Sequence, residues 1–363
     1  IATQNLASAN GIAILGNACR AISSVVFVAL RMGLCGLALA NVLAELVTCL
    51  AQRFVFRKLY PEVLFGWGLP DKALFRSMFI FGLQVMFANV GWRLVSGSDS
   101  IVLGAVRNVA TVSIFYTTQM PSVIGYNVVN RIADSATPAI NELYGRKAYG
   151  QLAQAFLRIT RYSLLLTAPL FISLSLLTKH LIASWVGPQQ YAGDSATWAL
   201  ALFALMISID HISVIILMAT GRIRTFGLLT LAEGVLHIGL AIWLGRRYGI
   251  AGVAWAGVLA HIPAFVYVQA HALTELDIDL GTYLQKGIFS VFLPAGICFI
   301  LVRLALLAYG QPAKPLANLL INGSLLLISY VFLAWRYGLC DDDRSALLKL
   351  LPLRLMRSRQ YDS

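Results

Sequence analysis

The sequence predicts an all-α polytopic membrane protein, on three observations. Hydrophobic residues make up 59% of the 363 and charged residues only 12%, about half the ~25% charge load of soluble domains. Apolar runs of roughly 20 residues recur along the whole length, each long enough to cross a hydrocarbon core of ~30 Å as a helix. The alternating segments of about ten residues that build a membrane β-barrel do not occur.

Ten spans are expected, at about 8–30, 34–54, 77–104, 111–138, 162–178, 196–219, 226–244, 251–270, 287–308 and 316–335. The helical pattern already runs at Ile1, with no initiator Met and no charged signal-peptide start, so an N-terminally truncated piece is expected. The first span carries Asn10, Asn17, Arg20 and Ser24 at i, i+7, i+10 and i+14, one stripe of a helix. The second opens on RMGLCGLALANVLAE at 31–45. In the third, Asn89, Arg93, Ser96 and Ser100 repeat the stripe, with Gly97 as a flex point. The fourth carries Gln119, Asn127, Asn130, Arg131 and Asp134. Arg131 and Asp134, three apart, can pair, and Pro138 marks the inner end of that span.

A connection at 139–161 leads to the fifth span, and WVGPQQYAGDS at 185–195 reads as an interfacial turn before the sixth. The sixth holds Asp210 and His211. The seventh holds Glu233 and His237, four apart on one face. The eighth opens on RYGIAGVAWAGVLAH at 247–261 and includes His261. Two further spans precede a tail, 336–363, in which LLKLLPLRLMRSR alternates leucines with cations and marks the cytoplasmic side, with contact to anionic lipid as the alternative.

Lysine and arginine set the orientation. Of 28, 18 fall in the loops at 53–76, 139–161, 221–224 and 271–286 and in the tail. Six fall on the opposite side: Arg31, Arg107, Lys179, Arg246, Arg247 and Lys314. Four lie within spans: Arg20, Arg93, Arg131 and Arg303. Both ends of the sequence are therefore expected in the cytoplasm. The net charge of +12 is mostly this topological bias, which argues against a nucleic-acid partner.

The stretches at 31–45 and 247–261 agree at eight of fifteen positions and open the second and eighth spans. Six crossings apart, both copies run the same way, as in a parallel repeat of six-helix lobes around a central cavity. The expected organisation is 1–58 as the last two helices of a first lobe, 77–270 as a six-helix second lobe, 287–335 as two extra helices, and 336–363 as the tail. The alternative is chance likeness between helix starts rich in small residues.

A charge at the bilayer centre costs about 2.5–3.5 kcal/mol on translocon scales, so it normally faces a bundle interior or a watery cavity. Arg20, Arg93 and Arg131, with Asn17, Asn89 and Asn127 on the same stripes, predict a cationic cavity. Arginine suits phosphate because its planar fork donates two parallel hydrogen bonds and stays charged. The alternative for Arg131 is pairing with Asp134, and for Arg93 with Asp99; Arg20 has no local carboxylate. Asp99, Asp134, Asp210, Glu233, His237 and His261 are candidates for ion coupling, since histidine titrates near neutrality, with plain interhelical hydrogen bonds as the alternative. No tight two-histidine spacing supports a metal site. Neither a phosphate loop nor a nucleophile elbow is present, so no catalytic residue and no cofactor is expected. The five cysteines, Cys19, Cys35, Cys49, Cys298 and Cys340, read as small core residues.

Five stretches in order, SDSIVLGAVRNVATVSIFY at 98–116, ATPAINELYGR at 136–146, SWVGPQQYAGDSATWALALF at 184–203, ATGRIRT at 219–225 and RYGIAGVAWAGVLA at 247–260, resemble the multidrug/oligosaccharidyl-lipid/polysaccharide exporter superfamily, and within it the O-antigen and exopolysaccharide flippases. The resemblance implies two six-helix lobes plus two C-terminal helices in a bacterial inner membrane, with the first four helices missing here. It also implies alternating access that carries a polyprenyl-diphosphate-linked oligosaccharide to the outer leaflet. Coupling to H⁺ or Na⁺ and delivery to polysaccharide polymerase machinery are further expectations. A cation-coupled drug exporter of the same superfamily is the alternative. A membrane-embedded polymerase or ligase is disfavoured because outward loops reach at most about 17 residues.

Overall fold

The computed structural model describes residues 6–61, 71–308, 315–339 and 344. The expected tail thus lies outside the described residues beyond Leu339, apart from Arg344. Every regular element among the described residues is helical. In chain order these are α1 (Leu6–Ala29), α2 (Gly33–Leu59), α3 (Lys72–Val106), α4 (Val109–Asp134), α5 (Thr137–Gly145), α6 (Tyr149–Trp185), α7 (Asp194–Ala219), α8 (Ile223–Tyr248), α9 (Ile250–Glu275), a single turn α10 (Leu280–Thr282), α11 (Ser290–Ala308) and α12 (Pro315–Leu333). Eight are long and apolar enough to cross a membrane, or nine if the bent pair Leu280–Phe289 and Val291–Leu307 forms one span. The remaining expected span is α4, whose 26 residues suffice in length but whose polar stripe lowers its hydropathy. Large apolar side chains stand open on these helices, among them Leu34, Phe54, Val109 and Ile328, as a lipid solvent requires.

Two boundaries differ from expectation for physical reasons. The 139–161 connection is mostly helical. Pro138 sits in the first turn of α5, where its missing N–H costs nothing, so it opens a new helix instead of closing α4. α6 begins at Tyr149 and runs 37 residues, about 55 Å at 1.5 Å per residue, well beyond a ~30 Å core. Its extra turns bury Leu152 and Phe156 against Ile212, Ile216, Leu273 and Tyr283, which stabilises helix where loop composition alone predicts none.

The chain separates into two compact units, Ile1–Phe75 and Arg76–Ser363. In the first, α1 and α2 form a helical hairpin. In the second, α3, α4, α7, α8 and α9 share one apolar core that includes Leu103, Phe115, Leu200, Leu244 and Val258. A second core joins α6 to α11 and α12 through Ile172, Leu177, Val291, Cys298 and Tyr330. Tyr330 donates to the Leu165 carbonyl at 2.9 Å, and Tyr283, in the π-helical turn before α11, donates to Gln269 Oε1 of α9 at 2.9 Å.

The repeated stretch has the same local structure in both units. Gly33 and Gly249, equivalent in the two copies, lie at φ +56° and +64°, a left-handed conformation that glycine adopts without steric cost. Three residues on, a Cβ at Gly36 would lie 2.8 Å from Phe27 Cβ, and one at Gly252 would collide with the Leu244 carbonyl. Ala40 and Ala44 are fully buried, as are their counterparts Ala256 and Ala260. Four of the eight identities therefore have a local cause: a turn, a close approach, or a buried small face.

Candidate functional site

The arginine stripes separate into three situations. Arg20 Nη2 donates to Glu45 Oε1 of α2 at 3.0 Å, with both side chains largely exposed. The expectation that Arg20 lacks a nearby carboxylate is thereby corrected: its partner lies 25 residues on, across the hairpin, where a one-helix window cannot see it. Arg131 approaches Asp134 at only 3.9 Å and stays exposed. Arg93 is exposed in the middle of a 35-residue helix and makes no ion pair with any described residue. Its expected alternative partner, Asp99, is engaged elsewhere. Asn89 and Asn127 turn back on their own helices, donating to the Val85 and Val123 carbonyls, and Asn17 is exposed on α1.

Every candidate carboxylate meets a histidine. Asp99 Oδ1 of α3 lies 2.8 Å from His237 Nε2 of α8, both buried. Asp134 Oδ1, the last residue of α4, lies 2.7 Å from His211 Nε2 of α7. His261 of α9 stands between two acids: Nδ1 is 2.9 Å from Glu233 Oε1 of α8, and Nε2 is 3.1 Å from Asp210 Oδ2 of α7. The second contact lacks hydrogen-bond alignment. Glu233 and His237 share a helical face as expected, yet they do not pair; each reaches a different neighbouring helix. His211, grouped with Asp210 in the sixth span by the sequence, completes this set by meeting Asp134 rather than its neighbour.

Two of the cavities in the second unit hold these residues. One of about 340 Å³ holds Asn127, Asn130, Arg131, Asp134, His211 and the His261 triad. The other, about 160 Å³, holds Gln119, Asp99 and His237. Trp92 and Tyr126 line both and so form the wall between them. The smaller cavity lies toward the turn after α6, which α4 pins through Thr118: its hydroxyl donates to the Gln190 carbonyl at 3.2 Å and accepts from Ala192 N–H at 3.0 Å. In that turn Tyr191 donates to Asp194 at 2.7 Å, and burial pushes its phenol above the ordinary range. Sequence reasoning missed Glu45, Trp92 and Tyr126; only pairing across helices would have exposed them. No group of described residues has the geometry to hold a metal ion.

Chemically, the second unit offers exposed guanidinium groups on α3 and α4, a buried set of acid–histidine couples bridging α3, α7, α8 and α9, and a half-exposed couple, Asp134–His211, between α4 and α7. Buried polar groups in such couples satisfy one another and fix helix packing, and they also supply adjacent titratable sites.

Residues 8–144 match the family model described as polysaccharide biosynthesis protein. The sequence comparison with curated proteins gives no match. Among solved structures, the fold resembles the lipid II flippase MurJ in an inward closed conformation, with a TM-score of 0.62 at 14% identity, covering 92% of this chain and 67% of that one. The two findings bear out the resemblance to the multidrug/oligosaccharidyl-lipid/polysaccharide exporter superfamily.

Proposed function

We propose that this protein is a flippase for a lipid-linked saccharide. Its cargo is a polyprenyl-diphosphate-linked oligosaccharide of the O-antigen or exopolysaccharide kind. Alternating access between two six-helix lobes moves that cargo from the cytoplasmic to the outer leaflet of a bacterial inner membrane. Both ends of the present chain face the cytoplasm on this reading, as the lysine and arginine bias supports. The flipped lipid is then handed to polysaccharide polymerase machinery.

The observation that carries the reading is Arg93. A mid-span arginine is costly in hydrocarbon and persists where an anion or water meets it. With no carboxylate partner among the described residues, it is free to take a diphosphate bidentately. Arg131, held only loosely by Asp134, offers a second guanidinium in the 340 Å³ cavity, and Arg20, shared with Glu45, one in the helical hairpin, with Asn17, Asn89 and Asn127 as neutral donors to the sugar. The acid–histidine couples around Asp99, Asp134, Asp210 and Glu233 supply proton exchange with His237, His211 and His261; coupling to H⁺ fits them better than Na⁺, because each carboxylate already faces a ring nitrogen and no oxygen cage surrounds it.

A cation-coupled drug exporter is the second reading, favoured by the acids and aromatic walls of the 340 Å³ cavity. Arg93→Ala in the full-length protein separates the two. Loss of one charge-assisted pair, about 1.5–3 kcal/mol, lowers saccharide export roughly 10–100-fold if the cargo is a diphosphate, with Arg93→Lys in between. Undiminished saccharide export in Arg93→Ala refutes the anionic-cargo reading.

A further inference from the structure

A cleft of about 610 Å³ runs between α3 and α8, lined by Arg93, Gly97, Ser98, Ile101, Ile242 and Arg246 among others. It lies apart from the acid–histidine cavities, on the exposed flank of both helices. Below it α3 and α8 pack almost backbone to backbone: a Cβ at Gly234 would lie 2.8 Å from the Gly91 carbonyl, and one at Gly227 2.6 Å from the Gln84 carbonyl. Within the cleft the space opens, and a Cβ at Gly97 would meet nothing within 4 Å. Arg246, like Arg93, is exposed and has no carboxylate partner among the described residues.

The two arginines occupy different depths. The Asp99–His237 contact at 2.8 Å sets the register of the two parallel helices. Arg93 lies six residues before Asp99 and Arg246 nine residues after His237, so they are separated by about 22 Å at 1.5 Å per residue. Their backbones are too far apart for one compact site, so each marks its own depth in the cleft. At the far end Arg107 donates to the Arg246 carbonyl at 3.2 Å, and its guanidinium lies over the α8–α9 turn at Gly249. Two of the six cations on the side opposite the basic loops, Arg107 and Arg246, therefore meet at one cleft mouth. Topology disfavours cations there, so their concentration calls for an anion to bind.

We propose that the α3–α8 cleft is the outward half of the transport path. Arg93 is a mid-membrane station for the lipid diphosphate, and Arg246, with Arg107 beside it, is the station from which the diphosphate is released at the outer surface. The prenyl chain remains in lipid along the open apolar edge, where Ile101 is 76% exposed. This rests on the flippase reading above and adds a site to it.

The test uses the full-length chain made cysteine-free, carrying Ala105→Cys at a position that lines the cleft near its Arg246 end, with Gly97→Cys as the substitute if that variant fails to accumulate. A membrane-impermeant thiol reagent is added from outside, with geranyl diphosphate or geraniol as probe. Geranyl diphosphate, and not geraniol, protects the thiol. Arg246→Ala raises the concentration needed for protection about tenfold or more, and Arg247→Ala, at the same depth but outside the cleft lining, leaves it unchanged. Equal protection in Arg246→Ala, or no protection at all, overturns the release station. Equal protection by phosphatidylglycerol vesicles also overturns it, because the cleft would then be a headgroup site. The leaflet assay that tests the flippase reading is separate. Trapped lipid-linked saccharide in a deletion strain with an unprotected thiol removes only this station, whereas an unchanged leaflet distribution removes the reading beneath it.

Discussion

Replacing His261 with leucine tests the acid–histidine interior most sharply. The ring lies between Glu233 at 2.9 Å and Asp210 at 3.1 Å, and the three residues are 3%, 8% and 6% exposed. Leucine preserves much of the volume, so cavity formation contributes little, while both ring nitrogens disappear from between two buried carboxylates. If the three groups form an ion-paired unit, removing its cationic member costs about 3–5 kcal/mol, the usual penalty for stranding a buried charge. If they are ordinary interhelical hydrogen bonds, the cost is near the ~0.6 kcal/mol average for membrane helices. Unfolding by SDS in mixed micelles, followed by circular dichroism, resolves that difference. The ion-paired account further predicts that adding Glu233→Gln to His261→Leu recovers much of the loss, because it removes one of the two stranded negative charges. A loss under about 1 kcal/mol, with no recovery in the double variant, refutes the reasoning.

Three further outcomes are expected. Glu233→Gln abolishes proton exchange at that position and flattens the pH dependence of export in intact cells; an unchanged profile returns Glu233 to a packing role. Gly227→Val forces a side chain into the Gln84 carbonyl, which a Cβ would already approach to 2.6 Å, and parts α3 from α8, so folded protein recovered from membranes falls severalfold; wild-type yield contradicts the close approach. An epitope tag after Ser363 is protected from protease in intact cells and exposed in inverted vesicles, and the reverse pattern overturns the orientation.

Much of the fold was legible because its causes are local. Apolar length locates most of the spans, and the RxGxxG stretches announce two equivalent helix starts whose glycines have positive φ or no room for a Cβ. α5 and the first turns of α6 were not legible, since Ile140 of α5 and Leu152 and Phe156 of α6 pack on residues of α7 and α9, far away in sequence. The site divides along the same line. Polar stripes pick out Arg93 and Asp134, a shared helical face picks out Glu233 and His237, and Asp99, Asp210 and His261 stand out as ionisable residues inside apolar spans. Partners do not follow from periodicity: Glu45 answers Arg20 across a hairpin, His237 takes Asp99 away from Arg93, and His261 ends between acids from two other helices. Each pairing is a choice among neighbours that only the packed bundle presents.

The central claim is that this chain belongs to a carrier of lipid-linked saccharide. The most direct measurement deletes the full-length gene and determines which leaflet holds the lipid-linked oligosaccharide, with sensitivity to cationic dyes scored in parallel. The account predicts intermediate trapped on the cytoplasmic leaflet, normal dye resistance, and rescue by the wild-type gene but not by Arg93→Ala. A normal leaflet distribution with dye hypersensitivity would contradict it and make the protein a drug exporter.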